Sequence, residues 1–199
     1  MLNISEINAL ALDPTSGFGI SPLLNGINPT NSRTASADLR LGCWFVSLRT
    51  ERYAEFDFMS SALPSEDFLT QKTYVPFGKS FVLHPRSFVL AATLEWIKTP
   101  DYLGGYVTGK SSLGRRGLVI ETAPGVHPGF LGCLTLELAN VGEVPLRLHP
   151  GMPICQLFLH RITSASTGRA ETRFRGERQP KLGTYTPDPI ALILARQRK

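Results

Sequence analysis

Short alternating apolar segments, parted by turn residues, run through the middle of this chain. Asp38-Leu-Arg-Leu alternates polar and apolar side chains, and so does Trp44-Phe-Val-Ser-Leu. Period-2 alternation puts successive side chains on opposite faces of a strand. Ser80-Phe-Val-Leu and Ser87-Phe-Val-Leu-Ala-Ala-Thr-Leu-Glu-Trp predict two more strands, separated by His84-Pro-Arg. Further short strands are predicted at Tyr102–Thr108, Leu118–Thr122, Leu134–Ala139, Val144–Leu148 and Ile154–Ile162. Gly or Pro fills the gaps, at Gly104-Gly105, Pro124-Gly125, Pro128-Gly129 and Pro150-Gly151. Many short strands with turn signals at roughly 8–12-residue spacing predict an all-β sandwich or barrel. No internal repeat is visible.

Helix is sparse. Residues 4–11 read as a short helix, with Ser5 a candidate cap and Ile4, Ile7 and Leu10 apolar. Residues 12–36 are rich in Gly, Pro, Asn and Ser and read as loop. Residues 51–72 are irregular and polar. Residues 189–195 are apolar, and their pattern fits a short helix or a strand equally.

With 199 residues, the chain suits one domain with a sizeable core. A hydrophobic share of 42% with 19% charged residues places it among soluble globular chains. No apolar run approaches the roughly 20 residues of a membrane helix. The N-terminus lacks a basic region followed by an apolar stretch, so no signal peptide is expected. Cys43, Cys133 and Cys155 are odd in number and lie in or beside apolar segments. Buried reduced thiols and a cytoplasmic location are the expectation. No two cysteines have the spacing of a zinc pair.

The net charge of +5 is unevenly placed: residues 161–199 carry +6 and the rest −1. A basic tail suits polyphosphate, and equally a merely solvated terminus. The aromatic-basic interleaving of a nucleic-acid binder is missing.

Three stretches carry candidate chemistry. The first is Gly109-Lys-Ser-Ser-Leu-Gly-Arg115-Arg116. Its glycines let backbone amides approach a ligand. Ser111 and Ser112 offer hydroxyls, and Lys110, Arg115 and Arg116 offer cations that suit phosphate oxygens. An exposed turn between strands would also fit, and the Walker spacing is absent. The second is Leu134-Thr-Leu-Glu-Leu-Ala, where alternation puts the leucines on one face and Thr135, Glu137 and Ala139 on the other. Glu137 then either faces solvent or is buried as a carboxylate able to shuttle protons. The third is the turn-rich crossover from Glu121 to Phe130, which could wrap a sugar or a base. Its His127 is a candidate contact or an ordinary turn residue. His84, His127, His149 and His160 show no ligand spacing, and the zinc nucleobase deaminase signature is missing.

In this order the stretches resemble a dCTP deaminase of the trimeric dUTPase superfamily. Ser36-Ala-Asp38-Leu-Arg-Leu-Gly42 resembles the family's early strand. Leu83-His-Pro with Ala91-Ala-Thr-Leu-Glu95 resembles the strand pair before the site. Gly109-Lys-Ser-Ser-Leu-Gly-Arg115-Arg-Gly-Leu resembles the signature G-R-S-S-L-[AG]-R-x-G-L. Glu121-Thr-Ala-Pro-Gly, then Pro128-Gly-Phe-x-Gly-x-Leu-Thr-Leu-Glu137-Leu-x-Asn140, then Pro150-Gly-Met-x-Ile-x-Gln156-Leu, resembles the core that follows. The likeness runs from about residue 36 to 183.

The resemblance implies a distorted jelly-roll or β-barrel, which with the short N-terminal helix is expected to make a single domain over residues 1–199. Its core spans about 36–162, and its tail, 163–199, closes over a triphosphate. It implies a homotrimer with sites at subunit interfaces. The implied reaction is dCTP plus water giving dUTP plus ammonia, with Mg²⁺ carried on the triphosphate and no zinc. No nucleic-acid polymer and no membrane is implied as a partner. Glu137 matches the family's general acid/base. Ser111, Arg115 and the Ala123 carbonyl match groups that orient the water and the 4-amino group. Lys110 and Ser112 match the phosphate loop, Gln156 a phosphate contact, and Val126 and His127 the nucleotide-binding stretch. Arg173-Phe174-Arg-Gly-Glu-Arg-Gln-Pro180 resembles the tail segment K-Y-Q-G-Q-x-G-P.

Some positions depart from the family. Lys110 stands for arginine, His127 for aspartate, Phe174 for tyrosine and Glu177 for glutamine. The aspartate is a catalytic or sugar-contacting residue in dUTPases, so His127 counts against dUTPase activity, as does the missing Gly-rich C-terminal motif. An anion at 177 should disfavour a phosphate contact. Two rival functions stay open: a dUTPase or bifunctional enzyme taking dCTP to dUMP, and a non-catalytic nucleotide-binding trimer. Retention of Ser111, Arg115 and Glu137 weighs against the latter.

Overall fold

The computed structural model describes residues 1–23, 34–53, 55–60, 64–120, 125–163 and 175–196. The strands are β1 (Gly19–Ser21), β2 (Ala37–Leu48), β3 (Thr70–Tyr74), β4 (Phe81–Leu83), β5 (Phe88–Lys98), β6 (Leu103–Gly109), β7 (Leu118–Ile120), β8 (Gly125–Val126), β9 (Leu131–Asn140), β10 (Leu146–Leu148) and β11 (Pro153–Arg161). The helices are α1 (Ile4–Leu12), α2 (Glu66–Leu69), α3 (Ser111–Gly114) and α4 (Pro189–Arg196).

One nine-stranded sheet runs in the order β7-β9-β5-β2-β11-β6-β8, with β1 paired to β5 and β3 to β2, while β10 and β4 form a separate pair. Every pairing is antiparallel. The long strand β2 turns the corner. Its first residues pair with β11, and from Leu41 onward it pairs with β5. Gly42 lies at the corner, where a Cβ would come within 2.9 Å of the Ala92 carbonyl oxygen. A strand that changes partners at a bend curls its sheet into a half-barrel. The curl brings the far members β6 and β7 together: a Cβ on Gly109 would lie 3.4 Å from Ile120.

The concave side is the core. Phe45, Leu39, Leu41, Leu136, Leu138, Ile154 and Leu157 are all fully buried, each worth about 1.5–3 kcal/mol of burial. The fold is thus the all-β half-barrel that the alternation predicts. Several details differ. The α1 cap is Asn3 rather than Ser5: Asn3 Oδ1 accepts from the Glu6 N–H at 2.9 Å, and Glu6 Oε2 accepts from the Asn3 N–H at 2.9 Å. This reciprocal capping box satisfies two donors that the helix leaves open. The polar stretch read as irregular contains α2 and the edge strand β3, whose Gln71 and Lys72 face solvent. The apolar segment near the C-terminus is helix α4, with Asp188 Oδ1 accepting from the Ala191 N–H at 2.8 Å. Only Cys155 is a fully buried thiol, whereas Cys43 and Cys133 are half-buried. No described helix is long and apolar enough to cross a membrane.

Candidate active site

The loop after β6 is a single helical turn. Ser111, Ser112, Arg115 and Arg116 are exposed, and Leu113 anchors the turn by packing against the core. Arg116 donates to the Ser112 carbonyl at 2.6 Å, which holds the turn closed. Gly117 ends the loop at φ +90°, and a Cβ there would meet the Gly142 backbone at 2.7 Å. Only glycine satisfies both conditions. The hydroxyl and guanidinium groups expected to handle a nucleotide therefore project from a short, anchored turn.

Lys110 is not free at the head of this turn. Its Nζ lies 2.6 Å from Asp38 Oδ2, and both groups are about three-quarters buried. Asp38 faces Gln156 in the β2–β11 ladder, and Gln156 Nε2 donates to the Ser36 hydroxyl at 3.1 Å. The structure thus gathers Lys110 and Gln156 into one polar cluster with Ser36 and Asp38. Ammonium retains further donors when one is used by a carboxylate, so the pair fixes where Lys110 points without exhausting it.

Glu137 lies on β9 between Leu136 and Leu138, which are both 0% exposed. Its side chain therefore leaves by the opposite, convex face, where it is half-buried. Across the sheet it stands opposite Leu90, which stands opposite Val46. Both are buried, so the carboxylate has apolar neighbours on one side.

The tail runs along the edge of the same strand and sends one side chain, Arg178, onto this face. Beyond the end of β7, the free edge of β9 is taken by residues 175–181, a strap. Gly176 N–H donates to the Leu131 carbonyl at 2.7 Å, and Cys133 N–H donates to the Glu177 carbonyl at 2.9 Å. Arg175 donates to the Gly129 carbonyl at 2.7 Å. The Arg178 guanidinium lies 4.6 Å from the centroid of the Trp96 ring. Cys133 and Glu137 are on one face of β9, so the strap sits about 13 Å from the carboxylate along the strand. Burial pushes the Cys133 thiol up to about 11, against the pull of Arg178. Glu177, the unexpected anion, is paired: Lys181 Nζ is 2.5 Å from its Oε1. That hydrogen bond raises Lys181 above the ordinary lysine value.

The third candidate stretch is pinned by Thr99, which is 2% exposed. Its hydroxyl donates to the His127 carbonyl at 2.9 Å and accepts from the Phe130 N–H at 2.9 Å. The His127 ring is exposed, while the Val126 side chain is in the core. Val126 can offer a ligand its backbone alone. A cavity of about 220 Å³ opens between this turn and the strap, lined by Lys98, Asp101, Phe130 and Arg175 among others. Ala123, Arg173 and Phe174 lie outside the described residues. Among the described residues, no group of three or more His, Cys, Asp or Glu side chains could hold a metal ion.

Sequence reasoning missed Asp38 as the partner of Lys110, and Trp96 with Arg178 as the anchor of the strap. Only the Glu177–Lys181 pair left a local signal, its i,i+4 spacing. Glu95 was also passed over. It is 2% exposed, with Oε2 accepting from the Arg40 N–H at 2.8 Å, and burial raises its pKa above the usual carboxylate value.

A family model described as dCTP deaminase-like matches residues 15–162. The protein of Mycobacterium tuberculosis strain H37Rv called "dCTP deaminase, dUMP-forming" is 42% identical over 164 residues, covering 78% of this chain and 84% of its own length. The protein of the same description from Mycobacterium avium strain 104 is 41% identical with the same coverage. Among solved structures, the 2′-deoxycytidine 5′-triphosphate deaminase of Agrobacterium tumefaciens superposes with a TM-score of 0.60 at 20% identity. The superposition covers 81% of this chain but 46% of that one, and it speaks to the fold alone.

Proposed function

This chain belongs to the dCTP deaminase-like family, and on that premise we propose that it hydrolyses the 4-amino group from dCTP, bound as its Mg²⁺ complex. The observation that carries the reading is Glu137, a half-buried carboxylate on the convex face of β9, with a basic strap along the edge of the same strand. A carboxylate held beside the reacting carbon can act first as general base and then as general acid.

In this mechanism, Glu137 removes a proton from water as the oxygen adds to C4. It passes the proton to N3. The tetrahedral intermediate then collapses, and the amino group leaves as ammonia with the second proton of the water. The product is dUTP. Ser111, Arg115 and the Ala123 carbonyl orient the water and the leaving group, which supplies charge stabilisation without a Lewis acid. Lys110, Ser112, Gln156 and the tail residues Arg173 and Phe174 hold the triphosphate, and Val126 and His127 border the sugar. The assembly is a homotrimer with sites at subunit interfaces, acting in the cytoplasm as one domain over residues 1–199. Paired to Lys181, Glu177 does not face the phosphates as an uncompensated anion.

A second reading takes the same nucleotide through to dUMP and pyrophosphate. It is favoured by the description carried by both mycobacterial relatives. His127, where the family has aspartate, weighs against it. Incubation with Mg²⁺ and dCTP, followed by nucleotide separation with assays for ammonia and pyrophosphate, tests both. Ammonia with dUTP supports the first reading, and ammonia with dUMP and pyrophosphate the second. Neither product, alongside measurable dCTP binding, would overturn the enzymatic account.

A further inference from the structure

Trp96 has no part in the chemistry above, yet its position is unusual for a strand tryptophan. Its neighbours Glu95 and Ile97 are buried at 2% and 0% exposure, so Trp96 leaves β5 by the convex face. The β5–β9 register shifts between Ala92 and Trp96, and the shift sets Trp96 directly across from Cys133. The Cys133 N–H is the donor that takes the Glu177 carbonyl at 2.9 Å. The ring is therefore level with the backbone contact, and the next strap residue, Arg178, places its guanidinium 4.6 Å from the ring centroid. One rung of the sheet thus grips two consecutive strap residues, one through its backbone and one through its side chain.

We propose that Trp96 is a positioning residue: its ring seats Arg178 and so fixes the strap against β9, setting affinity for a triphosphate without touching the reacting atoms. Among the described residues, the strap's other anchors are the Arg175–Gly129 and Gly176–Leu131 contacts before the rung and, after it, the buried Pro180 and the Gly183 N–H to Glu66 Oε2 at 3.3 Å. The strap also carries the Glu177–Lys181 pair, so its register decides where the Lys181 ammonium stands. The kinetic part of this proposal rests on the deaminase reading, and the structural part does not.

Hydrogen exchange of the segment 175–183 in the nucleotide-free protein is the primary test. A cation–π contact between exposed and desolvated values corresponds to an exchange rise on the order of threefold to tenfold when it is lost. Trp96→Leu and Arg178→Ala are each expected to give that rise. The double variant should exceed neither single one, because both remove the same contact. Trp96→Tyr, which keeps an aromatic face, should stay within twofold of wild type and serves also if Trp96→Leu fails to fold. In dCTP turnover, Trp96→Leu should raise KM by a similar factor with kcat within twofold. Unchanged exchange in Arg178→Ala, or exchange effects that multiply in the double variant, would overturn the proposal. A wild-type protein that releases no ammonia would remove the deaminase reading and leave the exchange result standing.

Discussion

Replacing Asn140 by aspartate exchanges one nitrogen for one oxygen, in a place where the nitrogen has two jobs. Asn140 is 1% exposed. Its Nδ2 donates to the Leu83 carbonyl at 3.0 Å and to the Val144 carbonyl at 2.9 Å, while Oδ1 accepts from the Gly142 N–H at 3.0 Å. Aspartate keeps the last contact and turns both donations into repulsions between oxygens. Two lost hydrogen bonds at about 1 kcal/mol each, plus about 1–3 kcal/mol for stranding buried acceptors, give a loss of about 3–5 kcal/mol at pH 7. With a urea m-value of about 2 kcal/mol/M, the midpoint should fall by roughly 1.5–2.5 M. The sign with pH follows from the same contacts. Burial against two carbonyls raises the pKa of the introduced carboxyl in the folded state. The penalty is therefore full above that raised value and shrinks as pH falls toward the unfolded value near roughly 3.9. Urea titrations of both proteins at one protein concentration, at pH 7 and pH 4, measure it. A difference below about 1 kcal/mol at pH 7, or one that does not shrink at pH 4, would refute the reasoning. Val141 N–H bonds to the Gly117 carbonyl at 2.9 Å, so the damage also reaches the loop that carries Ser111 and Arg115.

Glu95 offers a second pH test. Burial raises its pKa, so the wild type loses stability as pH rises past the unfolded carboxyl value. The Tm of Glu95→Gln relative to wild type should therefore be higher at pH 8 than at pH 4, and a flat difference would contradict the assignment. Lys110→Ala removes the cation proposed to hold a phosphate, a charged contact worth about 1.5–3 kcal/mol. It should raise KM for dCTP by about 10–100-fold with kcat within about threefold, measured by initial rates at fixed ionic strength. A KM within twofold of wild type would mean that Lys110 serves Asp38 alone.

The strand content was legible because glycine and proline mark the turns while alternation marks the faces; Leu136 and Leu138 fall on the core side as their spacing requires. The breaks in that reading have local causes. Gly42-Cys43 interrupts the alternation in β2, so one strand reads as two, although the chain continues through a corner that only glycine fits. Thr70-Gln-Lys-Thr-Tyr74 is too polar to read as a strand, yet as a solvent-facing edge it needs no apolar row. Asn3 caps α1 because capping depends on the backbone just before the first turn, which Ser5 has already entered. At the site, the residue types were legible and their partners were not. Lys110 finds Asp38, and Arg178 finds Trp96, through strand register, which no local pattern encodes.

The central claim is that Glu137 moves protons for a hydrolytic deamination. The most direct measurement is ammonia release from Mg²⁺-bound dCTP by the wild type and by Glu137→Gln, with dCTP binding measured on both by calorimetry. The account predicts stoichiometric ammonia from the wild type. From the variant it predicts a rate lower by on the order of 10²–10⁴-fold, the usual worth of a positioned acid/base, with Kd within about threefold. A variant that releases ammonia at close to the wild-type rate would contradict it.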